Sequence, residues 1–408
     1  MTHCRHLPAP ALTLEAEATP SPEKRAATGD DEDDDALLPF GVDLGAALPT
    51  PTGFAIAGLR GASHAFVALL AEASSRRVDL GELHGDAETP AIAVAGERVL
   101  VALRSSDAAG FTIKLGSVPL GAGEAEWGHE LSKLGKSVTG LELATSGGRG
   151  ALVFQSDEKG SSRLLLGSFA PGALKEPFDV KPLEVKDAEM PRLVARPGGY
   201  WLSWVRSLPE PKKAAVAPAP KASAEPAQDP EERELLDVGL RVVEVAKLDE
   251  QGKLVGAAKR VGEPRRQLLL YDAALLASGG LLVATRSDAA APGAEGGALL
   301  LHEVGADASV HTEQLEDDEI GAGAPTLLVD RDVKLPGPWL SVSAPTDATR
   351  LGLVKGAKTQ LLADPLLGHA EIVAVSNGHF LAQRARGRGV TLEALDCAWP
   401  SEVAPEKK

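Results

Sequence analysis

Short apolar segments separated by polar turns run along most of the chain, a pattern typical of β-strands. The segment Gly198 to Ser207, GGYWLSWVRS, is apolar on both of its faces. Strict alternation places Tyr200 and Trp204 on one face and Trp201 and Val205 on the other. A strand with two apolar faces has to be covered on both sides, so we predict an all-β fold in which sheets pack face to face.

Weaker versions of this segment recur and predict a repeat. The segments end at Arg60, Arg104, Gln155, Arg206, Arg286, Ser343 and Arg384. Successive ends are 44, 51, 51, 80, 57 and 41 residues apart, and all but the 80 match a repeat of one four-stranded unit. The long spacing contains Leu208 to Glu234, rich in proline, alanine and charge, which we predict to be a disordered insertion. A second insertion, Ser287 to Gly297, accounts for much of the 57-residue spacing between Arg286 and Ser343.

Each repeat follows the same order of segments. An apolar segment, often just after a proline, leads through a glycine turn such as Asn377-Gly378 into the recurrent segment. A polar loop, a third apolar segment and a more polar fourth segment follow. The tripeptide Leu-Gly-Ser recurs at 115–117 and 166–168, the same offset of 51 that separates Arg104 from Gln155. Two independent features therefore share one register.

This organisation resembles the β-propellers, with seven four-stranded blades over residues 37–400. The resemblance is to the architecture, because the WD dipeptide signature and the Ser-x-Asp-x-Gly-x-x-Trp box of sialidase-like propellers are missing. A six-bladed ring or a pair of β-sandwiches are the alternative folds. We divide the chain into an N-terminal segment, 1–36, with the acidic run GDDEDDD; the propeller, 37–400, with a disordered insertion at 208–234; and a C-terminal tail, 401–408.

The seventh repeat ends after its third strand, so an N-terminal strand is expected to complete the last blade and close the ring. Ala11 to Ala18 and Leu37 to Leu44 are the two candidates. Cys4 lies just before the first candidate and Cys397 at the end of the last third strand, so a disulfide between them would fix the closure. That bond would indicate an extracytoplasmic, oxidising compartment; the alternative is two free thiols in a cytoplasmic protein. The first residues show no apolar signal-peptide core, and no apolar run has the length of a membrane helix.

One rim of the predicted ring is the candidate site. In a propeller, the loop after each second strand and the loop between blades lie on the same rim, and both long insertions follow second strands. Functional loops gather on one side of a rigid scaffold. The second strands end there in recurrent arginines, of which we predict that four bind a carboxylate or phosphate ligand: Arg104, Arg206, Arg286 and Arg384. The alternative is structural pairing, because a residue that recurs at one register usually has the same structural role in every blade.

The net charge and the absence of two catalytic motifs limit the kinds of function that the sequence suggests. The formal net charge of −16 argues against a nucleic-acid partner, which requires clustered lysine and arginine. Neither HExxH nor GxSxG occurs, and we predict no catalytic residue, cofactor or metal site. The leading hypothesis is a non-enzymatic binding or scaffold propeller, a monomer that presents its loop-rich face to a protein or cell-surface partner. The alternative is a glycan-acting hydrolase or lyase with carboxylates, histidine and tyrosine in the channel, for which only Tyr200 and Tyr271 supply a tyrosine.

Overall fold

The computed structural model describes residues 3–7, 11–15 and 41–398, with longer gaps at 209–239, 288–298, 316–323, 331–337, 344–348 and 363–369. Short gaps fall at 62, 73, 86, 136, 159–160, 186, 266–267, 308, 356–357 and 387–388. Within the described part the chain forms β-strands and one short 3-10 helix, Pro171–Ala173. The acidic run, the predicted disordered insertion beyond Leu208 and the C-terminal tail lie outside the described residues.

The strands form seven sheets, which we call blades 1 to 7 in chain order. Blade 1 contains β3 (Val42–Thr50), β4 (Gly53–Arg60), β5 (His64–Ala71) and β6 (Ser74–Glu82). Blade 2 contains β7 (Ala91–Ala95), β8 (Arg98–Asp107), β9 (Gly110–Pro119) and β10 (Glu126–Leu131). Blade 3 contains β11 (Val138–Ser146), β12 (Arg149–Glu158), β13 (Ser161–Phe169) and β14 (Val180–Pro182). Blade 4 contains β15 (Ala188–Arg196), β16 (Gly199–Ser207), β17 (Arg241–Leu248) and β18 (Leu254–Arg265).

The remaining blades follow the same scheme. Blade 5 contains β19 (Leu268–Leu275), β20 (Leu281–Ser287), β21 (Leu299–Val304) and β22 (Val310–Leu315). Blade 6 contains β23 (Thr326–Leu328), β24 (Trp339–Ser343), β25 (Thr349–Lys355) and β26 (Lys358–Leu362). Blade 7 contains β27 (Ala370–Ser376), β28 (His379–Arg386), β29 (Gly389–Ala398) and, from the N-terminus, β1 (His3–His6) and β2 (Leu12–Leu14).

The seven blades close into a ring. Consecutive strands of each blade pair antiparallel, and the first strand of every blade contacts the first strand of the next, including β27 with β3. The first strands are therefore innermost and surround a central channel, while the fourth strands lie outside. The seven-bladed propeller predicted from the repeats is confirmed.

The hydrophobic core is divided among the blade interfaces. Seven clusters of buried residues each join two neighbouring blades, and the seventh joins blade 7 to blade 1. The segment GGYWLSWVRS shows why its strand is apolar on both sides: Tyr200 and Trp204 pack in the cluster between blades 3 and 4. Trp201 and Val205 pack in the cluster between blades 4 and 5. Inner blade strands bury both faces, as the alternation predicts.

The N-terminus completes blade 7. Both β1 and β2 pair antiparallel with β29, in the place of a fourth strand. Cys4 lies directly opposite Cys397 in this pairing, and the predicted disulfide joins them. Of the two predicted closing segments, Ala11 to Ala18 contains β2, whereas Leu37 to Leu44 leads into the innermost strand β3. Strand β1 itself was not predicted, because His3–His6 is polar and carries no strand pattern.

The two rims of the ring differ. We call the edge where second strands end and third strands begin the second-strand rim, and the opposite edge the turn rim. The three longest connections between consecutive described strands, 15–41, 208–240 and 288–298, all start and end at the second-strand rim. At the turn rim most first and second strands are joined by two residues, as at 51–52, 96–97, 147–148, 197–198 and 377–378. Among the described residues no helix is long and apolar enough to cross a membrane.

Candidate functional site: the second-strand rim and the channel wall

The rim arginines fall into two groups that face opposite directions. Arg104 follows Ala102 on the face that packs against the next blade, whereas Arg206 follows Trp204 on the face that packs against the previous blade. The backbone register explains the difference. The last pair before the turn is Ser146 with Arg149 in blade 3 and Arg196 with Gly199 in blade 4. Equivalent residues of these two blades are therefore 50 positions apart, rather than the 51 inferred from the strand ends. The single register inferred from the strand ends is therefore wrong at Arg206 by one residue, which reverses the side chain.

Arg104 connects blade 2 to the inner strand of blade 3. Its side chain is 1% exposed and lies 3.1 Å from the Glu88 carboxylate. The guanidinium also donates a hydrogen bond to the carbonyl of Val138, the first residue of β11, and stacks over the Phe111 ring at 5.2 Å. These contacts are the structural pairing that the alternative interpretation of the recurrent arginines expects.

The other rim arginines differ in exposure. Arg206 donates to the Glu244 carboxylate at 3.0 Å while 38% of its side chain stays exposed. Arg384 donates to Glu393 at 3.1 Å and is 23% exposed. Arg286 is 3% exposed. Ligand binding by the four arginines stays a prediction, and Arg206, the most exposed of them, suits it best.

A second group of polar side chains lies on the channel wall. Glu142 on β11, Arg192 on β15 and Asp272 on β19 occupy equivalent places on three successive innermost strands. Their cross-strand partners are Val153, Ser203 and Ala284, respectively. Arg192 stands between the two carboxylates, so the ring brings together three charges that are far apart in the sequence.

The carboxylates of this group bind both a charge and the backbone. Glu142 accepts a hydrogen bond from Arg192 at 2.5 Å and another from the backbone N–H of Leu193. Asp272 accepts from the backbone N–H of Leu327 at 2.8 Å, the corresponding position of the next blade. Innermost strands are sheet edges, so each carboxylate satisfies an N–H that would otherwise lack a ladder partner.

Burial raises the pKa of the carboxyl groups of Glu142 and Asp272 above their usual values, although the charge of Arg192 opposes the shift. The pKa of Arg192 is raised chiefly by Glu142. A carboxyl group with a raised folded-state pKa contributes stability below its unfolded pKa, and that contribution is lost as the pH rises through the folded pKa.

Met190 borders this group in an unusual backbone conformation. Its φ is +52°, in the left-handed region, and the equivalent residue of blade 3 is Gly140 with φ +61°. The backbone is held on both sides: the N–H donates to Gln155 at 3.1 Å, and the carbonyl accepts from the Tyr271 hydroxyl at 2.5 Å. The methionine side chain is 36% exposed, which makes it an apolar surface beside the charged group.

Sequence reasoning missed the channel group. Its signal was present, because Glu142, Arg192 and Asp272 are isolated charges inside apolar first strands, GLELATS, PRLVAR and LLLYDAAL. Such charges point to a polar channel wall once the first strands are known to be innermost. Recurrence at the strand ends points instead to the rim arginines. Among the described residues no three histidine, cysteine, aspartate or glutamate side chains are grouped for a metal ion.

This geometry defines the molecule as a seven-bladed β-propeller with a polar channel wall, in which the three longest connections between consecutive described strands lie at one rim. No protein-family model matches the chain, and no curated protein matches it in sequence. Among solved structures, it is similar to the hydrazine synthase of Kuenenia stuttgartiensis, with a TM-score of 0.50 and 12% identity over 90% of this chain and 97% of that chain. At this identity the likeness shows the fold alone.

Two further solved propellers are less similar. The Aleuria aurantia lectin is 10% identical over 80% of this chain and 96% of that chain, with a TM-score of 0.44. The Trypanosoma rangeli sialidase is 9% identical over 79% of this chain and 54% of that chain, with a TM-score of 0.46. Neither likeness bears on the function of this chain.

Proposed function

We propose that this protein is a non-enzymatic binding propeller that presents its second-strand rim, with the adjoining channel mouth, to a protein partner. The observation that carries the proposal is the asymmetry of the two rims, since the three longest connections all begin and end at one of them. Long connections on a compact domain are characteristic of binding loops or linkers, and binding loops gather on one face of a rigid scaffold.

The rest of the ring has the properties of such a scaffold. Side chains of blade 4 bond the backbone of both neighbouring blades at the turn rim: Trp201 donates to the carbonyl of Gly279 in blade 5 at 3.1 Å, and Tyr200 donates to the carbonyl of Arg149 in blade 3 at 3.0 Å. Asp330 of blade 6 accepts from the N–H groups of Asn377 and Gly378 in blade 7. These bonds fix neighbouring blades to one another at the turn rim, which makes that rim part of the scaffold.

The channel group supports binding better than catalysis. A glycan-cleaving propeller needs one carboxyl group free to donate a proton and another free to attack or activate water. Here Asp272 accepts backbone N–H groups from Leu327 and Ala273, and Glu142 is paired with Arg192. The Tyr271 hydroxyl donates to a backbone carbonyl, and burial raises its pKa, so it is a poor nucleophile. Glycan cleavage remains the second candidate because carboxylates and a tyrosine do converge in the channel.

The compartment belongs to the same proposal. A disulfide that joins the two ends of the ring is maintained in an oxidising environment, which supports an extracytoplasmic location. A partner at the cell surface or in another extracytoplasmic space would meet the protein there.

Site-specific photo-crosslinking tests the binding face. A photoreactive amino acid is placed at Ala109, in the exposed turn between β8 and β9 at the second-strand rim, or at Glu97, in the exposed turn between β7 and β8 at the turn rim. We expect a discrete partner, the same in repeated preparations from the native source, to be crosslinked from Ala109 and not from Glu97. Equal yields from both positions, or a partner trapped only from Glu97, would contradict the proposed face.

A further inference from the structure

We infer that the groove between blades 3 and 4, near the second-strand rim, binds an acidic segment of the protein partner through Lys181, Arg206 and Arg260. The inference rests on the proposed function and adds the chemistry of the contact. It is carried by an ion-pair cluster with more guanidinium than carboxylate groups, by a lysine on the facing blade and by half-buried aliphatic residues in the same groove.

The ion-pair cluster lies on the face of blade 4 that packs against blade 3. Glu244 on β17 is opposite both Trp204 and Arg260 in register, so Arg206, Glu244 and Arg260 share the face on which Trp204 is buried. Arg206 donates to Glu244 at 3.0 Å, whereas the Nε atom of Arg260 lies 3.8 Å from the same oxygen, too far for a hydrogen bond. Two guanidinium groups therefore share one carboxylate, which leaves one positive charge without a partner.

Both arginines keep hydrogen-bond donors for a ligand. The Nε atom of Arg206 is buried and has no acceptor among the described residues. The side chain of Arg260 is 57% exposed, and no described residue accepts a hydrogen bond from it. A guanidinium group carries five N–H donors in a planar fork that matches the two oxygens of a carboxylate. A ligand carboxylate beside these arginines therefore supplies both the missing acceptors and the missing charge.

Blade 3 adds a third cation on the other side of the groove. Lys181 on β14 is opposite Leu166 in register, and Leu166 packs in the cluster between blades 3 and 4, so Lys181 lies on the face turned toward blade 4. Lys181 is exposed and forms no ion pair with a described residue. Leu183 and Val185, a little further along the chain, are half-buried against the same cluster. The groove thus combines cations from both blades with aliphatic surface.

The acidic residues of the adjoining connection do not neutralise the groove. Glu184 is exposed, and Asp187 accepts a hydrogen bond from Ser161 of blade 3 at 3.2 Å. Within the described part of the chain neither forms an ion pair with the three cations. The net charge of −16 is spread over the whole protein, and exposed charges are screened beyond about 8 Å at physiological salt, so the local cations decide the contact.

The cluster favours a carboxylate over a phosphate. Arg206 and Arg260 together exceed Glu244 by one positive charge, which a carboxylate balances. A phosphate dianion brings a second negative charge next to Glu244, and like charges at this separation repel. Aspartate or glutamate side chains of a protein partner are therefore the ligands that fit.

Two neutral-ended peptides test the inference: acetyl-Gly-Glu-Gly-Glu-Gly-amide and its glutamine counterpart, which keeps the size and lacks the charge. Binding to the full chain is measured by calorimetry and by NMR of the peptides. We expect the glutamate peptide to bind at low ionic strength and the glutamine peptide to bind at least about tenfold more weakly, a difference of about 1.4 kcal/mol. No binding of the glutamate peptide at millimolar concentration, or equal binding of both peptides, would overturn the inference.

Two variants locate the contact. R206Q/R260Q should weaken binding of the glutamate peptide at least about tenfold. Because that variant leaves Glu244 without a partner, K181Q/R260Q is the second test: it keeps the ion pair of Arg206 with Glu244, changes exposed residues alone and should weaken binding at least about threefold. Unchanged binding by K181Q/R260Q refutes the site.

The control R77Q/K259Q removes the same charge outside the groove. Arg77 is exposed in blade 1, and Lys259 is exposed on β18 but lies opposite Val245, on the face that packs against blade 5. This variant should bind the glutamate peptide as the wild-type protein does. A loss as large as that of K181Q/R260Q would show a general charge effect and overturn the assigned groove.

Competition by acetate and by inorganic phosphate at matched ionic strength tests the choice of ligand. We expect phosphate to displace the glutamate peptide no better than acetate does, and clear displacement by phosphate alone would overturn the carboxylate assignment. If the glutamate peptide fails to bind while Ala109 still crosslinks a partner, this inference alone is wrong and the proposed face stands.

Discussion

Removing the disulfide between Cys4 and Cys397 should lower the stability of the whole ring. The bond spans a sequence separation of 393 and joins β1 to β29 in the closing blade. Both cysteines are buried in the core cluster between blades 6 and 7, so the double substitution C4A/C397A removes the link with little change in volume. Reduction of the wild-type protein by a dithiol gives the same loss without any substitution.

The expected magnitude follows from the size of the closed loop. A link across 393 residues restricts the unfolded chain by about 6 kcal/mol at 25 °C in the chain-entropy treatment, and measured losses in other proteins are about 2–5 kcal/mol. With an unfolding entropy near 2.1 cal/mol/K per residue over 408 residues, a loss of about 2–6 kcal/mol lowers the Tm by roughly 2–7 °C.

Calorimetry with and without reductant measures the effect. The wild-type Tm should fall on reduction, the C4A/C397A Tm should be low under both conditions, and reductant should not change the variant. The transition should stay single, because blade 7 closes the ring for every other blade. Two free thiols in the unreduced, denatured wild-type protein, or a wild-type Tm unaffected by complete reduction, would refute the closure by a covalent bond.

Three further outcomes are expected. R104A should lower the free energy of unfolding by about 3–5 kcal/mol, measured by urea unfolding, because it leaves Glu88 and the Val138 carbonyl without the buried guanidinium. The control R77A changes an exposed arginine and should alter the free energy of unfolding by less than about 0.5 kcal/mol. D272N should gain stability relative to wild type between pH 4 and pH 7, because a carboxyl group with a raised pKa destabilises the folded protein as the pH rises. D307N should lose stability relative to wild type over the same range, because hydrogen bonds from Ser309 lower the pKa of Asp307. The reverse pH dependence of either variant would contradict the direction assigned to that carboxyl group. R206A should reduce partner capture and lower the free energy of unfolding by less than about 1 kcal/mol, because Arg260 lies 3.8 Å from the same Glu244 carboxylate. A loss of stability with unchanged partner capture would instead favour structural pairing of Arg206.

The blades could be predicted from the sequence because each one repeats the same packing requirement. Second strands such as β16 are covered on both faces, so their residues are buried and mostly apolar and can be aligned from blade to blade. Closure by an N-terminal strand was predictable for a related reason, since a last blade lacking a strand requires one from elsewhere. The choice between Ala11 to Ala18 and Leu37 to Leu44 was left open, and the pairing of β2 with β29 decides it. Strand β1 was not predictable, because its own residues carry no strand pattern. It is held by contacts that depend on the opposite strand: the disulfide of Cys4 with Cys397 and the ion pair of Arg5 with Asp396 of β29.

The candidate site could be predicted only in part. Connectivity places the long insertions on one rim, and that conclusion needs no coordinates. The face on which each arginine side chain lies depends on the register set by the turn before it. A shift of one residue in that register places Arg206 on the opposite strand face from Arg104. The channel group depends on the curvature of the ring, which brings Glu142 next to Arg192 across 50 residues of sequence.

The most direct test of the binding face is hydrogen–deuterium exchange of the protein with the partner recovered by crosslinking. The partner should protect amides in the β8–β9 turn around Ala109 and in the β4–β5 turn around Gly61, both at the second-strand rim. The turns at Glu97 and Gly148, on the turn rim, should exchange at the same rate with and without the partner. Protection confined to the turn rim, or spread equally over both rims, would contradict the proposal that this propeller binds through its second-strand rim.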